Sequence, residues 1–488
     1  MTIDQIVQVI KQNNPDADVD MVRLAYDFAK EAHGSQKRLS GELYIEHPLN
    51  VAYRLAQMDL DMPTIIAGLI HDVPEDTDMP MEKIEKNFGK EVAILVEGIT
   101  KLGTIKYRGL ERYAENLRKM FVAMAEDVRV VFIKFADRIH NLKTLSALPP
   151  VKQKRVSQES LEIYAPIADR LGMDEFKGEI EDLAFPYVYP EEYKWVRKIS
   201  EKHYGEQKRI ADKIIKMVKR EINKDKNINL IKISGRAKRY YSLYQKLLRK
   251  DMDIDKIFDL VALRIIVRNI AECYQVLGYL HQLWKPVPNR IKDYIAQPKP
   301  NGYQSLHTTV FGIDGHITEF QIRTKKMDSE AEWGVAAHWS YKEREKNQQV
   351  TKEKIKWIKD LLDEQKKAPT TKRYLNTLKL DFFKKRIFVL TPKGDVIDLP
   401  ENATPIDFAY HIHTEVGHKC SGAKINEKIA NLSSTLKSGD VIEIIIDKNR
   451  KGPSKNWLNS VQTHMAKNKI KQYFGKQKKL NILKFFNR

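Results

Sequence analysis

Over residues 1–185 apolar side chains recur every three or four positions, as in VRLAYDFAKEAH (22–33) and SLEIYAPIADRL (160–171), and strand-like alternation is scarce. That period puts apolar groups on one face of a helix, so this third can bury a core only by packing helix against helix. Pro149-Pro150 and the stretch from Pro186 to Pro190 act as breakers. A charged helical stretch over 191–224 follows, and then the texture changes. β-branched runs appear at INLIKISG (228–235), LVALRIIV (260–267), SLHTTVFG (305–312) and HITEFQIRT (316–324), alternating with helical segments such as AECYQVLGYLHQLW. A mixed α/β domain with a sheet therefore follows the helical one. The Lys/Glu-rich residues 346–385 read as a helical linker. Short strands in KRIFVLTPKGDVIDLP and DVIEIII surround one short helix near PIDFAYHIH, a small α+β module. The expected division is 1–190, 191–345, 346–385, 386–447 and a basic tail over 448–488.

The 488 residues accommodate about three domains of ~150 residues. With 42% hydrophobic and 31% charged residues, a collagen-like or wholly disordered chain is excluded. No run approaches the ~18 consecutive apolar residues of a membrane helix, and the N-terminus has no basic stretch followed by an apolar one. Two cysteines, Cys273 and Cys420, cannot build a disulfide framework or a Cys-rich zinc site, so a cytoplasmic setting is expected. Charge is uneven: residues 1–190 carry net −7, residues 191–450 net +17 and residues 451–488 net +10. An acidic first third suits metal collection, and a basic remainder suits nucleotides or RNA.

Four segments of the first third concentrate polar chemistry: RLSGELYIEH (38–47), His71-Asp72 with Glu75-Asp76, DRIHN (137–141) and YAPIADRLG (164–172). Adjacent helical side chains point about 100° apart, so His71 and Asp72 reach one ion only at a helix edge or end. A distant His and a distant Asp would complete a mixed N/O set. Such a set suits a borderline-to-hard divalent ion such as Mn²⁺, with Zn²⁺ and Fe²⁺ also compatible. Glu75 and Asp76, one turn on, are placed to position or deprotonate a water.

The order H…HD…ED…D resembles the HD superfamily of metal-dependent phosphohydrolases. RLSGELYIEHP, HDVPEDTD and ADRIHNLKTL are similar to one branch, the (p)ppGpp hydrolase domain of the RelA/SpoT homologues. The resemblance implies His47, His71, Asp72 and Asp137 as metal ligands, Glu75 and Asp76 as partners of the water, and Arg38, Asn141 and Thr144 as nucleotide contacts. Leu39 departs from the family, which often has a basic residue there.

In the basic domain, ISGRAKRYYSLYQKLLRK (233–250) reads as a strand ending in Ser-Gly whose Arg and Lys residues open a helix, a phosphate-binding turn. Asp259 stands at the mouth of an apolar strand. Period two puts Glu319, Gln321 and Arg323 on one strand face. Carboxylates on two strands of one sheet suit a Mg²⁺-nucleotide site. In NRIKDYIAQPKPNGYQSLHTTV (289–310), an exposed Tyr303 beside Gly302 can stack on a purine, and nearby Lys, Arg and His can hold a diphosphate.

These segments resemble the synthetase domain of the same family, which is related to nucleotidyltransferases and moves pyrophosphate from ATP onto a guanosine 3′-OH. The resemblance implies Gly235, Arg236, Lys238, Ser242 and Lys246 facing ATP. It implies Asp259 and Glu319 on Mg²⁺, with Glu319 activating the 3′-OH. Arg290, Lys292, Lys299, Asn301, Tyr303, His307 and Gln321 would serve GDP or GTP. Arg290–Asp293 matches the RxKD form associated with two-activity members. Ala237 departs from the Pro of many relatives.

The C-terminal module resembles the TGS domain, a small β-grasp fold that in this family senses the acceptor end of uncharged tRNA, with His418 at the contact position and the ribosome a further expected partner. No cysteine follows Cys420, so a zinc-finger segment, and the ACT domain beyond it, are expected to be missing. The fold expected is therefore multidomain: an all-α HD-type hydrolase domain, an α/β nucleotidyltransferase-like synthetase domain and a β-grasp TGS domain. The activity expected is bifunctional (p)ppGpp synthesis and hydrolysis, with Mn²⁺ at the hydrolase site, Mg²⁺ at the synthetase site and no membrane partner. A hydrolase with a sensing-only synthetase domain, or an RNA- or ribosome-binding regulator, are the competing readings. Asp259, Glu319 and Tyr303 argue against the first, and the complete His/Asp set against the second.

Overall fold

A computed structural model of the chain describes residues 1–103, 109–254, 257, 260–299, 301–339, 358, 386–463 and 465–475. Two compact units divide it, Met1–Glu364 and Gln365–Arg488. Most of the expected linker over 346–385, and the tail beyond 475, lie outside the described residues. Among the described residues no helix is long and apolar enough to cross a membrane.

The first third is helical, as its period predicts. It comprises α1 (Ile3–Asn13), α2 (Asp20–His33), α3 (Glu46–Gln57), α4 (Met62–Ile70), α5 (Val73–Asp76), α6 (Met81–Gly103, broken at Gly89) and α7 (Gly109–Glu126). Then come α8 (Arg129–Lys143), α9 (Pro150–Glu159), a π turn at Ser160–Tyr164, α10 (Ala165–Arg170) and α11 (Asp174–Val188). Thr64 to Ile70 of α4 are all buried, so α4 is apolar on every side and sits at the centre of the bundle. α8 is nearly as buried.

One polar pair sets these two helices against each other. Asp61 Oδ1 caps α4 by accepting from Thr64 N at 2.9 Å, while Oδ2 takes Arg129 Nη1, at the start of α8, at 3.0 Å. Both helices thus start together. At 1.5 Å per residue, His71 lies ~15 Å beyond Asp61 and Asp137 ~12 Å beyond Arg129, so the two come level at the far end.

α12 (Pro190–Ile222) carries the chain to the second domain. Its sheet contains β1 (Leu230–Ala237), β2 (Val261–Val267), β3 (Lys292–Asp293), β4 (Leu306–Phe311) and β5 (Ile317–Thr324), in the order β1-β2-β5-β4-β3. β2 and β5 are parallel and the other pairs antiparallel. All seven residues of β2 are buried, as a central strand with both faces covered requires. α13 (Tyr240–Leu247), α14 (Ile270–Leu283) and α15 (Lys325–Trp333) complete the domain. The strand at 230 corrects the sequence reading: it does not end at Ser-Gly. β1 runs on through Gly235-Arg236-Ala237, paired with β2, and α13 starts only at Tyr240. The backbone there is therefore committed to the sheet, and Lys238 N donates to Leu260 O at 2.8 Å.

The helical and mixed domains are closely joined. α11 packs against α8 and also against α13 and α15. A Cβ on Gly178 of α11 would lie 2.4 Å from Arg239 Cδ, so any larger residue there would displace that side chain. Gly334 takes φ +56° where a Cβ would lie 2.1 Å from Leu171 O, and Val335 N donates to that same oxygen at 2.9 Å.

In the second unit β6 (Arg386–Leu390) pairs with β7 (Val396–Pro400), and β8 (Cys420–Ile425) lies between β10 (Ile442–Ile446) and β9 (Lys428–Ala430). α16 (Pro405–Ile412) and α17 (Thr414–Lys419) separate the two sheets in sequence. Val389, Leu399, Phe408 and Ile442 form its core.

Candidate active sites

His71 is the residue on which α4 ends, and Asp72 is the residue before α5. The pair falls at a helix junction, where adjacent side chains can converge. His71 Nε2 lies 3.1 Å from Asp72 Oδ1. His47, in the first turn of α3, has its Nε2 at 3.4 Å from Asp72 Oδ2 and 3.3 Å from Asp137 Oδ1. Ligand atoms of His47, His71 and Asp137 all lie within 4.8 Å of one another. His71 Nδ1 bonds the main-chain oxygen of Gly68 at 2.9 Å, which requires its proton there and leaves a lone pair on Nε2. That Nε2 is buried and has no hydrogen-bond partner among the described residues. A buried, unpartnered imidazole lone pair facing two carboxylates and a second imidazole is the donor set of a divalent cation site, and the residues fit such an ion.

Electrostatics agree with ionised carboxylates. Burial would raise Asp72, but His71 and His47 outweigh it and hold the group below its ordinary value. Burial is likewise overcome at Asp137, which Lys134 and His47 hold well below the carboxylate range. Lys134 Nζ is 2.7 Å from Asp137 Oδ2. Burial lowers His47 against the pull of Asp137 and Asp72.

Beside this cluster, with Asp137 in its wall, lies a cavity of about 430 Å³ lined by Lys37, Arg38, Tyr44, Asn141, Thr144 and Lys152 among others. Arg38 Nη2 donates to Asn141 Oδ1, and Asn141 Nδ2 donates to Asp137 Oδ1. Leu39, the family departure, is 74% exposed at the rim. Glu75 and Asp76 stand exposed in α5, just after Asp72. Burial, helped by Asp72 and Asp76 against Lys134, raises Glu75. Tyr44 Oη lies 2.9 Å from Asp72 Oδ2 and also within reach of Asp76, so its one proton is shared between the ligand carboxylate and the carboxylate beyond it.

Sequence reasoning missed Tyr44, Lys134 and His140. A usable signal existed for Lys134, which sits three residues before Asp137 on α8.

In the second domain the sheet register aligns the predicted residues. Lys292 pairs with His307 and His307 with Gln321. Arg236 and Ala262 pair across β1 and β2. Gln321 Nε2 donates to Glu319 Oε1 at 3.3 Å, and His307 Nδ1 lies 3.3 Å from the same oxygen. Burial lowers His307 despite Glu319. Lys299 N donates to Tyr303 O at 3.1 Å, Gly302 N donates to Lys299 O at 2.7 Å, and Asn301 Oδ1 accepts from Tyr303 N at 3.2 Å. Burial, with Lys292 adding, lowers Lys299 against Asp174.

Tyr303 is the clearest departure from the sequence reading. It is half-buried, not exposed. Its hydroxyl lies 2.8 Å from His307 Nε2, its ring sits edge-on to Tyr294, and Lys299 Nζ is 4.6 Å from its centroid. An exposed ring was expected beside Gly302, but Tyr303 packs against Tyr294 and His307, the latter paired with Lys292 across β3 and β4.

Arg236, Lys238 and Ser242 line a cavity of about 240 Å³ together with Gln321. Its far wall comes from α11: Asp174, Lys177 and Glu181. Burial, with Asp169 and Asp182 adding against Lys177, pushes Glu181 up to about 7. Glu175 of α11 pairs with Arg239 at 2.5 Å and lies 3.9 Å from Arg236. No sequence signal ties this helix to the cavity. Lys246 is one turn beyond Ser242 on α13, and Arg290 is exposed before β3. Asp259 lies outside the described residues.

His418 lies in α17, between the rings of Tyr410 and Tyr473 at 5.7 and 5.1 Å, with its side chain 17% exposed.

Fold and sites together define a helical HD-type domain around a His/Asp cluster, joined to a mixed-sheet domain with a basic cleft. Residues 25–174 match the HD domain, 235–346 the region found in RelA/SpoT proteins, and 387–446 the TGS domain. The chain is 47% identical over 463 residues to the guanosine-3′,5′-bis(diphosphate) 3′-pyrophosphohydrolase of Aquifex aeolicus (strain VF5), covering 95% of this chain and 66% of that protein. It is 44% identical over 467 residues to the bifunctional (p)ppGpp synthase/hydrolase SpoT of Escherichia coli (strain K12), covering 95% and 66%. Over 499 residues it is 43% identical to the GTP pyrophosphokinase of Streptomyces coelicolor (strain ATCC BAA-471 / A3(2) / M145), covering 98% and 58%. The chain spans 58–66% of the length of these relatives. The chain belongs to the RelA/SpoT family.

Proposed function

We propose that this chain is a bifunctional alarmone enzyme of the stringent response, acting in the cytoplasm. One site transfers pyrophosphate from ATP to the 3′-OH of GDP or GTP, and the other hydrolyses the 3′-pyrophosphate of (p)ppGpp to GDP or GTP plus pyrophosphate. The observation that carries this reading is the presence on one chain of the His47/His71/Asp72/Asp137 cluster and of a sheet face bearing Glu319, Gln321 and His307 beside a basic cavity. Domain limits of 1–190, 191–345 and 386–447 accompany it.

In the hydrolase site His47, His71, Asp72 and Asp137 would hold a divalent ion, Mn²⁺ in our reading. When bound, such an ion polarises a phosphoryl oxygen and acidifies water. The remaining work falls to the chain. Glu75, raised and three residues beyond Asp72, accepts the proton of the attacking water, while Tyr44 keeps Asp76 aligned with Asp72. Arg38, Asn141 and Thr144 orient the nucleotide so that its 3′-pyrophosphate meets the cluster.

In the synthetase site Asp259 and Glu319 would hold Mg²⁺. Glu319 accepts the 3′-OH proton as the 3′-oxygen attacks the β-phosphorus of ATP and AMP leaves. Gly235, Arg236, Lys238, Ser242 and Lys246 receive ATP. Arg290, Lys292, Lys299, Asn301, Tyr303, His307 and Gln321 receive GDP or GTP. In the TGS domain His418 contacts uncharged tRNA, with the ribosome a further partner.

The test is a pair of assays on wild type and His71→Ala: ATP plus GDP with Mg²⁺, and ppGpp with Mn²⁺. Wild type converts both substrates, and the variant loses only hydrolysis. Nucleotide binding without conversion in either assay would leave a regulator and refute the enzyme.

A further inference from the structure

We infer that His140 is the positioning residue that lets His47 present Nε2 to a divalent cation. The inference rests on the metal reading above. A neutral imidazole has one N–H and one lone pair. With its proton on Nε2, His47 would donate towards Asp72 and Asp137 and hold no ion. To free Nε2, the proton must sit on Nδ1, and a buried N–H needs an acceptor.

Two side-chain groups lie within hydrogen-bond distance of His47 Nδ1 among the described residues: Arg38 Nη1 at 3.0 Å and His140 Nδ1 at 2.8 Å. A guanidinium has no acceptor. His140 Nδ1 therefore receives the proton, and His140 carries its own hydrogen on Nε2. His140 is itself buried, 9% exposed, with the two rings tilted by 52° and 4.9 Å apart.

The two metal-facing histidines differ in this respect. His71 is oriented by the Gly68 carbonyl at 2.9 Å, a main-chain group that no substitution removes. His47 depends on a side chain 93 residues away. Arg38 Nη1 also reaches His140 Nδ1, at 2.9 Å, so one lone pair serves both the ligand histidine and the arginine that faces the nucleotide.

The test is Mn²⁺ binding to the full chain, followed by the electron paramagnetic resonance of the free ion. It compares wild type, His140→Leu, His140→Asn and Asp72→Ala. Asparagine places an oxygen near the position of Nδ1, and leucine places none. His140→Leu should weaken Mn²⁺ binding roughly 10- to 100-fold, the usual effect of losing an outer-shell partner, while His140→Asn stays within about 3-fold of wild type. Thermal midpoints without metal check that each variant folds. If the leucine variant does not, His140→Gln replaces it, because its amide reaches the Nε2 position instead, and it should behave as leucine does. Equal losses for the acceptor-bearing and acceptor-lacking variants, or no loss in the latter, overturn the inference. Wild type that takes up no Mn²⁺, or Asp72→Ala that binds as wild type does, refutes the metal reading and the inference with it.

Discussion

Replacing Asp137 by Asn tests at once why that residue is buried and what it does. Its carboxylate sits 2.7 Å from Lys134 Nζ, with the two side chains 6% and 17% exposed. At an effective dielectric of ~20 two unit charges at that distance attract by about 6 kcal/mol, most of which offsets their removal from water. Deleting one partner leaves the other buried and uncompensated, which costs roughly 3–5 kcal/mol. For a helical domain of this size each kcal/mol moves the midpoint by about 2–4 °C, so Asp137→Asn should lower it by roughly 6–20 °C. Asp137→Asn/Lys134→Met removes the stranded charge and should recover most of that loss. Hydrolysis of ppGpp should be absent from both variants, because the amide cannot replace the carboxylate on the ion. The assays are calorimetry and nucleotide conversion on the same samples. A single variant that melts with wild type, or a double variant no more stable than the single one, would refute the charge-pair argument. A double variant that regains hydrolysis would show that Asp137 holds no ion.

Glu319→Gln keeps the shape of the side chain and loses its charge, so synthesis should fall by roughly 10²- to 10⁴-fold with ATP binding retained in part, measured by pyrophosphate transfer and titration. Tyr303→Ala should raise the KM for GDP roughly 5- to 150-fold while moving that for ATP much less; its packing on Tyr294 and His307 predicts a lowered midpoint as well, and equal loss for both substrates would refute the stacking role. Glu181, about 7 in the folded chain against an ordinary 4.5, is between those pH values mostly protonated when folded and mostly ionised when unfolded. Its stabilising effect is therefore complete below pH 4.5 and fades by about 3 kcal/mol as pH rises to 7. Glu181→Gln should remove that part of the slope, measured by denaturant unfolding at pH 4.5 and 7.5, and parallel profiles would count against it.

The fold was largely legible residue by residue because its elements obey local periods. α1 and α2 bury residues three or four positions apart, Ile6 and Ile10, then Val22, Ala25, Ala29 and His33, and the run from Val261 to Val267 is apolar but for Arg264 because a central strand has no wet face. Glu319, Gln321 and Arg323 share a strand face for the same local reason. The turn at Ser234-Gly235 was misread because basic residues after a Gly look alike whether they open a helix or continue an edge strand; pairing with β2 decides the matter.

By itself the sequence determined the chemistry available: an adjacent His-Asp pair, a second His and Asp, and alternating polar residues on one strand. Tertiary structure alone decided which groups complete them. The Asp61–Arg129 pair aligns α4 and α8, so that His71 and Asp137, 66 positions apart, come level, and Tyr44, Lys134 and His140 join them. The fold also drew α11 of the helical domain across the cavity at Arg236, a contact visible in no local pattern. Local spacing reports only which face a side chain takes. Which group meets it there depends on how distant helices and strands pack.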